Sequence, residues 1–132
     1  ATYAKVNNTV YRLLRHTTPG PYTFILQATS EVPRRLMHPK RKTVGLRIPG
    51  NPIAAALLGE LGEPLMSVTL IMPGDDLPLT DPYDIREVLE HDVDLVIDGG
   101  YCGMEPTTVV DLADDTPVVL RSGKGDVAPF GG

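Results

Sequence analysis

Seven polar side chains, Thr23, Arg47, Ser67, Thr69, Thr107, Thr108 and Arg121, sit on or beside short stretches that alternate apolar and polar residues as strands do. If those strands share a sheet, their hydroxyls and guanidiniums converge on one face. There they bind an anionic ligand through charge-assisted hydrogen bonds. A single strand threonine is explained by β-propensity alone, so the weight rests on the set. A second group is denser: Arg34, Arg35, Lys40, Arg41 and Lys42, with His38 among them, put five cations within nine residues. Phosphate, a nucleotide or RNA fits such a patch, and a solvated surface loop explains it equally well. No aromatic residue interleaves the patch, so stacking on bases has no support there.

Other chemistries lack their parts. No G-x-S-x-G elbow occurs, and Ser30, Ser67 and Ser122 have no recognisable His partner, which argues against a hydrolase. His16, His38 and His91 are scattered, and neither C-x-x-C nor H-E-x-x-H is present, so no metal site is expected. Gly123-Lys124-Gly125-Asp126 lacks the upstream glycine spacing and the Ser or Thr of a phosphate loop and reads as a turn. Cys102 has no flanking cation to lower its pKa and is assigned no role.

The elements that must carry the polar set follow from periodicity. Val6, Val10, Leu13 and Leu14 form one helical stripe, so a helix is expected over residues 5–17, ended by Pro19-Gly20. Tyr22 to Ala28 alternates as a strand, with Phe24, Leu26 and Ala28 facing one way and Thr23, Ile25 and Gln27 the other. Thr43 to Ile48 alternates likewise, and Arg47 is expected to project from that strand. Asn51-Pro52 and Asp81-Pro82 are cap-and-proline starts of two more helices. Further strands are expected over Met66 to Ile71, Asp94 to Ile97, Thr107 to Leu112 and Thr116 to Arg121, with turns at Gly99-Gly100 and Asp114-Asp115. Strands interleaved with helices imply an α/β fold, or α+β, and strand pairs without a helix between them imply a mixed sheet.

Length and composition agree with one domain over residues 1–132: 42% of residues are apolar and 22% charged, which argues against disorder. The longest apolar run is six residues, Ile53 to Leu58, far short of the roughly 20 that a membrane span needs. A soluble, cytoplasmic protein is expected, since a lone cysteine suits a reducing compartment and no signal peptide is recognisable. The chain begins at Ala1 without Met, which suggests a processed product or part of something longer. The net charge of −5 conceals a division: residues 1–47 hold nine Lys or Arg and one acid, net +8, whereas residues 48–132 hold three cations and sixteen acids, net −13. An anion-attracting surface is expected in the first part.

Pro19-Gly20-Pro21-Tyr22-Thr23 resembles the P-G-P-x-T strand of the YrdC/YciO family, the threonylcarbamoyl-AMP synthase family. In the same order, Thr43-Val44-Gly45-Leu46-Arg47-Ile48-Pro49 resembles its V-x-x-R-x-P strand, and Ile97-Asp98-Gly99-Gly100 its glycine turn. Thr107-Thr108-Val109-Val110-Asp111 resembles S-T-V-V-D, and Leu120-Arg121-Ser122-Gly123 the terminal R-x-G. These motifs span essentially the whole chain. Glu31-Val32-Pro33-Arg34-Arg35-Leu36 favours the YciO branch.

The resemblance implies a twisted α/β sheet with a wide, often basic, concave face. It implies a reaction joining L-threonine, bicarbonate and ATP into threonylcarbamoyl-AMP for tRNA modification, with magnesium accompanying the nucleotide and no other cofactor. By position, Thr23 would contact the nucleotide, Thr69 and Thr108 would hydrogen-bond the adenylate region, and Arg47 and Arg121 would offset anionic charge. No residue is assigned as catalytic, because adenylyl transfer depends on positioning and charge stabilisation more than on a protein nucleophile. Two departures stand out. Thr69-Leu70-Ile71 replaces the synthases' S-A-N, removing the amide of Asn. The P-T-D-T-like motif and the Lys/Arg motif for the triphosphate are also missing, so the chain reads as the C-terminal part of a YciO-like protein, inactive alone. The rival readings are a noncatalytic module that binds double-stranded RNA or tRNA through Arg34, Arg35, Lys40, Arg41 and Lys42, and a purely structural remnant.

Overall fold

The computed structural model describes residues 2–100, 103, 105–114 and 116–131. Cys102 and Asp115 lie outside them. Two compact units make up the chain, Ala1–Asn51 with Pro106–Gly132, and Pro52–Glu105.

The first unit is built on a mixed sheet of order β2-β1-β3-β4. Its strands are β1 (Tyr22–Gln27), β2 (Thr43–Leu46), β3 (Thr108–Asp111) and β4 (Val118–Arg121). Parallel pairing joins β1 to β3, and both outer pairs are antiparallel. The alternation expected in β1 is realised: Tyr22, Phe24 and Leu26 are buried, and Thr23, Ile25 and Gln27 are half-buried on the other face. Helix α1 (Asn8–Thr17) brings Val10, Leu13 and Leu14 to the buried side, where Val110, Leu112 and Phe130 complete the core. Tyr22, Phe24 and Phe130 meet with ring centroids 5.5 to 5.8 Å apart.

Helix α1 begins at Asn8, later than the stripe alone implies. Asn7 caps it by accepting from Val10 N at 2.8 Å, while Ala4 pairs with Ala28 and Lys5 N donates to Gln27 O. Those preceding residues pair with the end of β1 instead of extending the helix. The helix ends before a turn in which Gly20 N donates to Ile48 O at 2.9 Å. Any Cβ at Gly20 would meet the Thr17 carbonyl at 2.5 Å, so the turn admits only glycine.

The second unit holds α2 (Pro52–Leu61) and α3 (Pro82–Leu89). Asp81 caps α3 by accepting from Tyr83 N at 3.0 Å, with Pro82 as its first residue. The strands expected over Met66 to Ile71 and Asp94 to Ile97 do not form among the described residues. Their side chains are instead open to solvent: Met66 is 79% exposed, Val68 89% and Leu95 75%. A strand exists only with a ladder partner, and neither stretch forms a ladder among the described residues, where Leu70 O accepts a single bond from Leu79 N. Across the described residues, no helix is long and apolar enough to cross a membrane.

Candidate functional site

The sheet face opposite the core gathers part of the polar set. Thr107 precedes β3 and shares the pleat of Val109, which pairs with both Thr23 and Arg121. The three polar side chains therefore meet. The hydroxyls of Thr23 and Thr107 are 2.8 Å apart and hydrogen-bonded. Arg121 donates to the Thr107 carbonyl from Nε at 3.0 Å and from Nη2 at 2.8 Å, and Nη2 also reaches the Thr107 hydroxyl at 3.1 Å. Its Nη1 amino group makes none of these bonds, so a guanidinium held on one side keeps two donors for an anion on the other.

Thr107 is one of the seven residues of the polar set, and the family motif points instead to its neighbour. Thr108 is fully buried on the core face, donating to Gly125 O at 2.6 Å and accepting from Gly123 N at 2.9 Å. Its hydroxyl is consumed in fastening the Gly123–Asp126 bend against β3. A Cβ at Gly123 would collide with the Pro106 carbonyl, and one at Gly125 with the Tyr22 ring. This bend is the turn expected in place of a phosphate loop. Tyr22 also donates to Asp126 O at 2.9 Å. Burial pushes its phenol above the ordinary value, and the Asp126 charge adds to that.

Arg47 lies one residue beyond β2, which stops at Leu46 because the Ile48 carbonyl turns to Gly20. Strand projection is thereby corrected to an exposed position just past the strand end. Antiparallel register would set it across from Thr23, on the same face. Thr69 and Ser67 belong to the second unit and are exposed on the unpaired stretch.

The basic segment is an ordered turn. Arg34–Leu36 form one 3₁₀ turn. His38 Nδ1 then accepts from Lys40 N at 3.2 Å and Arg41 N at 3.0 Å, while Lys42 N donates to His38 O. Lys42 takes φ 55°, the left-handed region that disfavours side chains, and its carbonyl accepts from Ala28 N. Arg41 reaches Asp111 Oδ2 on β3 at 2.7 Å. That bond and the carboxylate charge hold the guanidinium above its ordinary value. Arg34, Arg35, Lys40 and Lys42 are exposed and make no ion pair among the described residues. No group of three or more His, Cys, Asp or Glu side chains among the described residues is arranged to hold a metal ion.

A family model covering Sua5, YciO and YrdC proteins, described as telomere recombination, matches residues 1–123. Uncharacterized protein YciO of Escherichia coli is 58% identical over 130 residues, 98% of this chain and 63% of that protein. Its crystal structure superposes with a TM-score of 0.91. P. abyssi Sua5 complexed with L-threonine is 28% identical with a TM-score of 0.81, over 92% of this chain and 36% of that one. Threonylcarbamoyl-AMP synthase of Bacillus subtilis is 31% identical over 112 residues, 84% of this chain and 32% of that enzyme. The chain thus spans about 63% of the length of the YciO protein it matches.

Proposed function

The chain belongs to the Sua5/YciO/YrdC family, and from that premise we propose that it supplies the adenylate-binding sheet of a protein making threonylcarbamoyl-AMP from L-threonine, bicarbonate and MgATP. The observation that carries this reading is the Thr23–Thr107–Arg121 cluster on one sheet face, in a chain similar to a Sua5 protein complexed with L-threonine. Forming this product requires a carbamate oxygen of carboxylated threonine to attack the α-phosphorus of ATP. A new P–O bond forms, the bond to the β-phosphate oxygen breaks, and pyrophosphate leaves. Such a step asks the protein for fixed donors where phosphate charge builds, which Arg121 provides with Thr107 bracing it. Arg47 adds charge beside the same face. Magnesium enters this reading with ATP, as part of the nucleotide substrate. Ile71 in place of the synthases' Asn removes one donor and acceptor, an expected affinity loss of about 1 to 3 kcal/mol where a partner is left unpaired.

Titration calorimetry with ATP and L-threonine tests the reading, using a chimaera in which this chain replaces its matching stretch in E. coli YciO. Threonine-dependent nucleotide binding lost in Arg121→Ala is the expected result. Binding unchanged by that substitution contradicts it.

A second reading is favoured by the four exposed cations of residues 34–42 that lack ion-pair partners among the described residues: this turn docks on the phosphate backbone of folded RNA. The absence of aromatic residues from the turn favours binding along the backbone of a duplex over stacking on splayed bases.

A further inference from the structure

The fifth cation of the basic turn is bound differently from the other four. Arg41 spans from the turn to the sheet, where Asp111 is 8% exposed and accepts on both oxygens: Oδ2 from Arg41 at 2.7 Å and Oδ1 from Ala113 N at 2.9 Å. Arg41 itself stays 44% exposed, so the carboxylate is the buried, fixed member of the pair and the guanidinium the reaching one. The turn has its own scaffold in the His38 ring and the left-handed Lys42. Its backbone is joined to the end of β1 through Lys42 O, which accepts from Ala28 N. Arg41 is the one side chain of residues 34–42 with an ion pair to the sheet among the described residues.

We infer that Asp111 is a positioning residue for nucleic-acid binding: through Arg41 it orients the basic turn so that Arg34, Arg35, Lys40 and Lys42 face one phosphate backbone together. This rests on the second reading given above. It also makes Arg41 a weaker phosphate ligand than the other four, because the Asp111 carboxylate already offsets its charge. Isolated cations on a loose turn still attract a polyanion, but they do not hold a fixed spacing against it. Fixing them in one arrangement lowers the ordering cost of each phosphate they engage.

The distinguishing variant is Asp111→Asn. It deletes a negative charge, so long-range electrostatics alone predicts tighter binding to RNA. Arg41 and Ala113 N bond different carboxylate oxygens, and asparagine puts an NH2 donor in place of one of them, so one of the two donors loses its acceptor. The inference therefore predicts weaker binding, opposite in sign to the charge change. Arg41→Gln removes the same tie from the exposed end without altering the sheet, and guards against a folding defect in β3.

Fluorescence anisotropy with a labelled RNA duplex, repeated across a salt series, provides the readout, with urea unfolding of each variant alongside. In the unsubstituted chain, affinity should fall steeply with salt as counterions are released. Both variants should bind several-fold more weakly, with the salt slope flattened by about 1 for each phosphate that the turn no longer neutralises. Amide exchange at Lys40 and Arg41 should accelerate while that of β1 is unchanged. No salt-dependent binding by the unsubstituted chain would overturn the underlying RNA reading. Normal binding with Asp111→Asn equal to or tighter than the unsubstituted chain would overturn the positioning role alone. Displacement of the duplex by an equal concentration of inorganic tripolyphosphate would overturn the extended backbone as partner.

Discussion

Thr107 and Thr108 are adjacent and chemically identical, and the pleat sends them to opposite sides of the sheet. The Thr107 hydroxyl meets Thr23 and Arg121 on the half-open face, whereas the Thr108 hydroxyl is spent on Gly123 N and Gly125 O inside. Replacing each by valine should separate their roles. Thr107→Val should weaken adenylate binding about threefold to tenfold, the equivalent of an ordinary hydrogen bond or two, with little change in urea unfolding. Thr108→Val should cost about 1 to 3 kcal/mol of stability, because it strands the half-buried Gly123 N–H and the buried Gly125 carbonyl. Sequence pattern singled out the threonine pair but not which member faces outward, since that depends on the bend at Gly123–Asp126 capturing Thr108. Tyr22 carries a pH consequence at the same scale. Its phenol is raised above the ordinary value of about 10 in the folded chain. Above that pH the unfolded chain releases the proton more readily, so stability is full below about pH 10 and declines as pH rises beyond it. Unfolding of the chain against Tyr22→Phe should show the difference between them shrinking in alkali.

Elements were legible where a local signal or a partner among the described residues supports them. Strand β1 was readable because Tyr22, Phe24 and Leu26 alternate against a helix stripe, and α1 and Phe130 are present to cover them. Helix α3 was readable from Asp81-Pro82, since a cap is a local device. Met66 to Ile71 and Asp94 to Ile97 have comparable strand character, yet neither pairs among the described residues, because pairing is not a local property. Hydrogen exchange should divide the chain accordingly, with amides at residues 65–71 and 93–97 exchanging far faster than those of β1 and β3. Equal protection in the two sets would contradict the unpaired state. The N-cap of α1 offers a smaller check: Asn7→Ala should lower stability by about 1 kcal/mol in urea unfolding.

At the scale of the molecule, charge and packing both divide the sequence. The cationic residues 1–47 include β1, β2 and the ordered basic turn, and the acidic remainder includes the second unit, where no described residue is fully buried. Surface charge could be counted from the sequence, but the Arg41–Asp111 pair joining residues far apart in it could not. The family resemblance carried by five ordered motifs agrees with the matched family and with the 58% identity to E. coli YciO. What those motifs leave to experiment is the reaction. Pyrophosphate release from ATP by the chimaera of this chain with the rest of E. coli YciO, measured with and without L-threonine and bicarbonate, tests that claim most directly. Release that requires both co-substrates and collapses in Arg121→Ala is the predicted result, and a folded chimaera that releases no pyrophosphate under any of these conditions would contradict it.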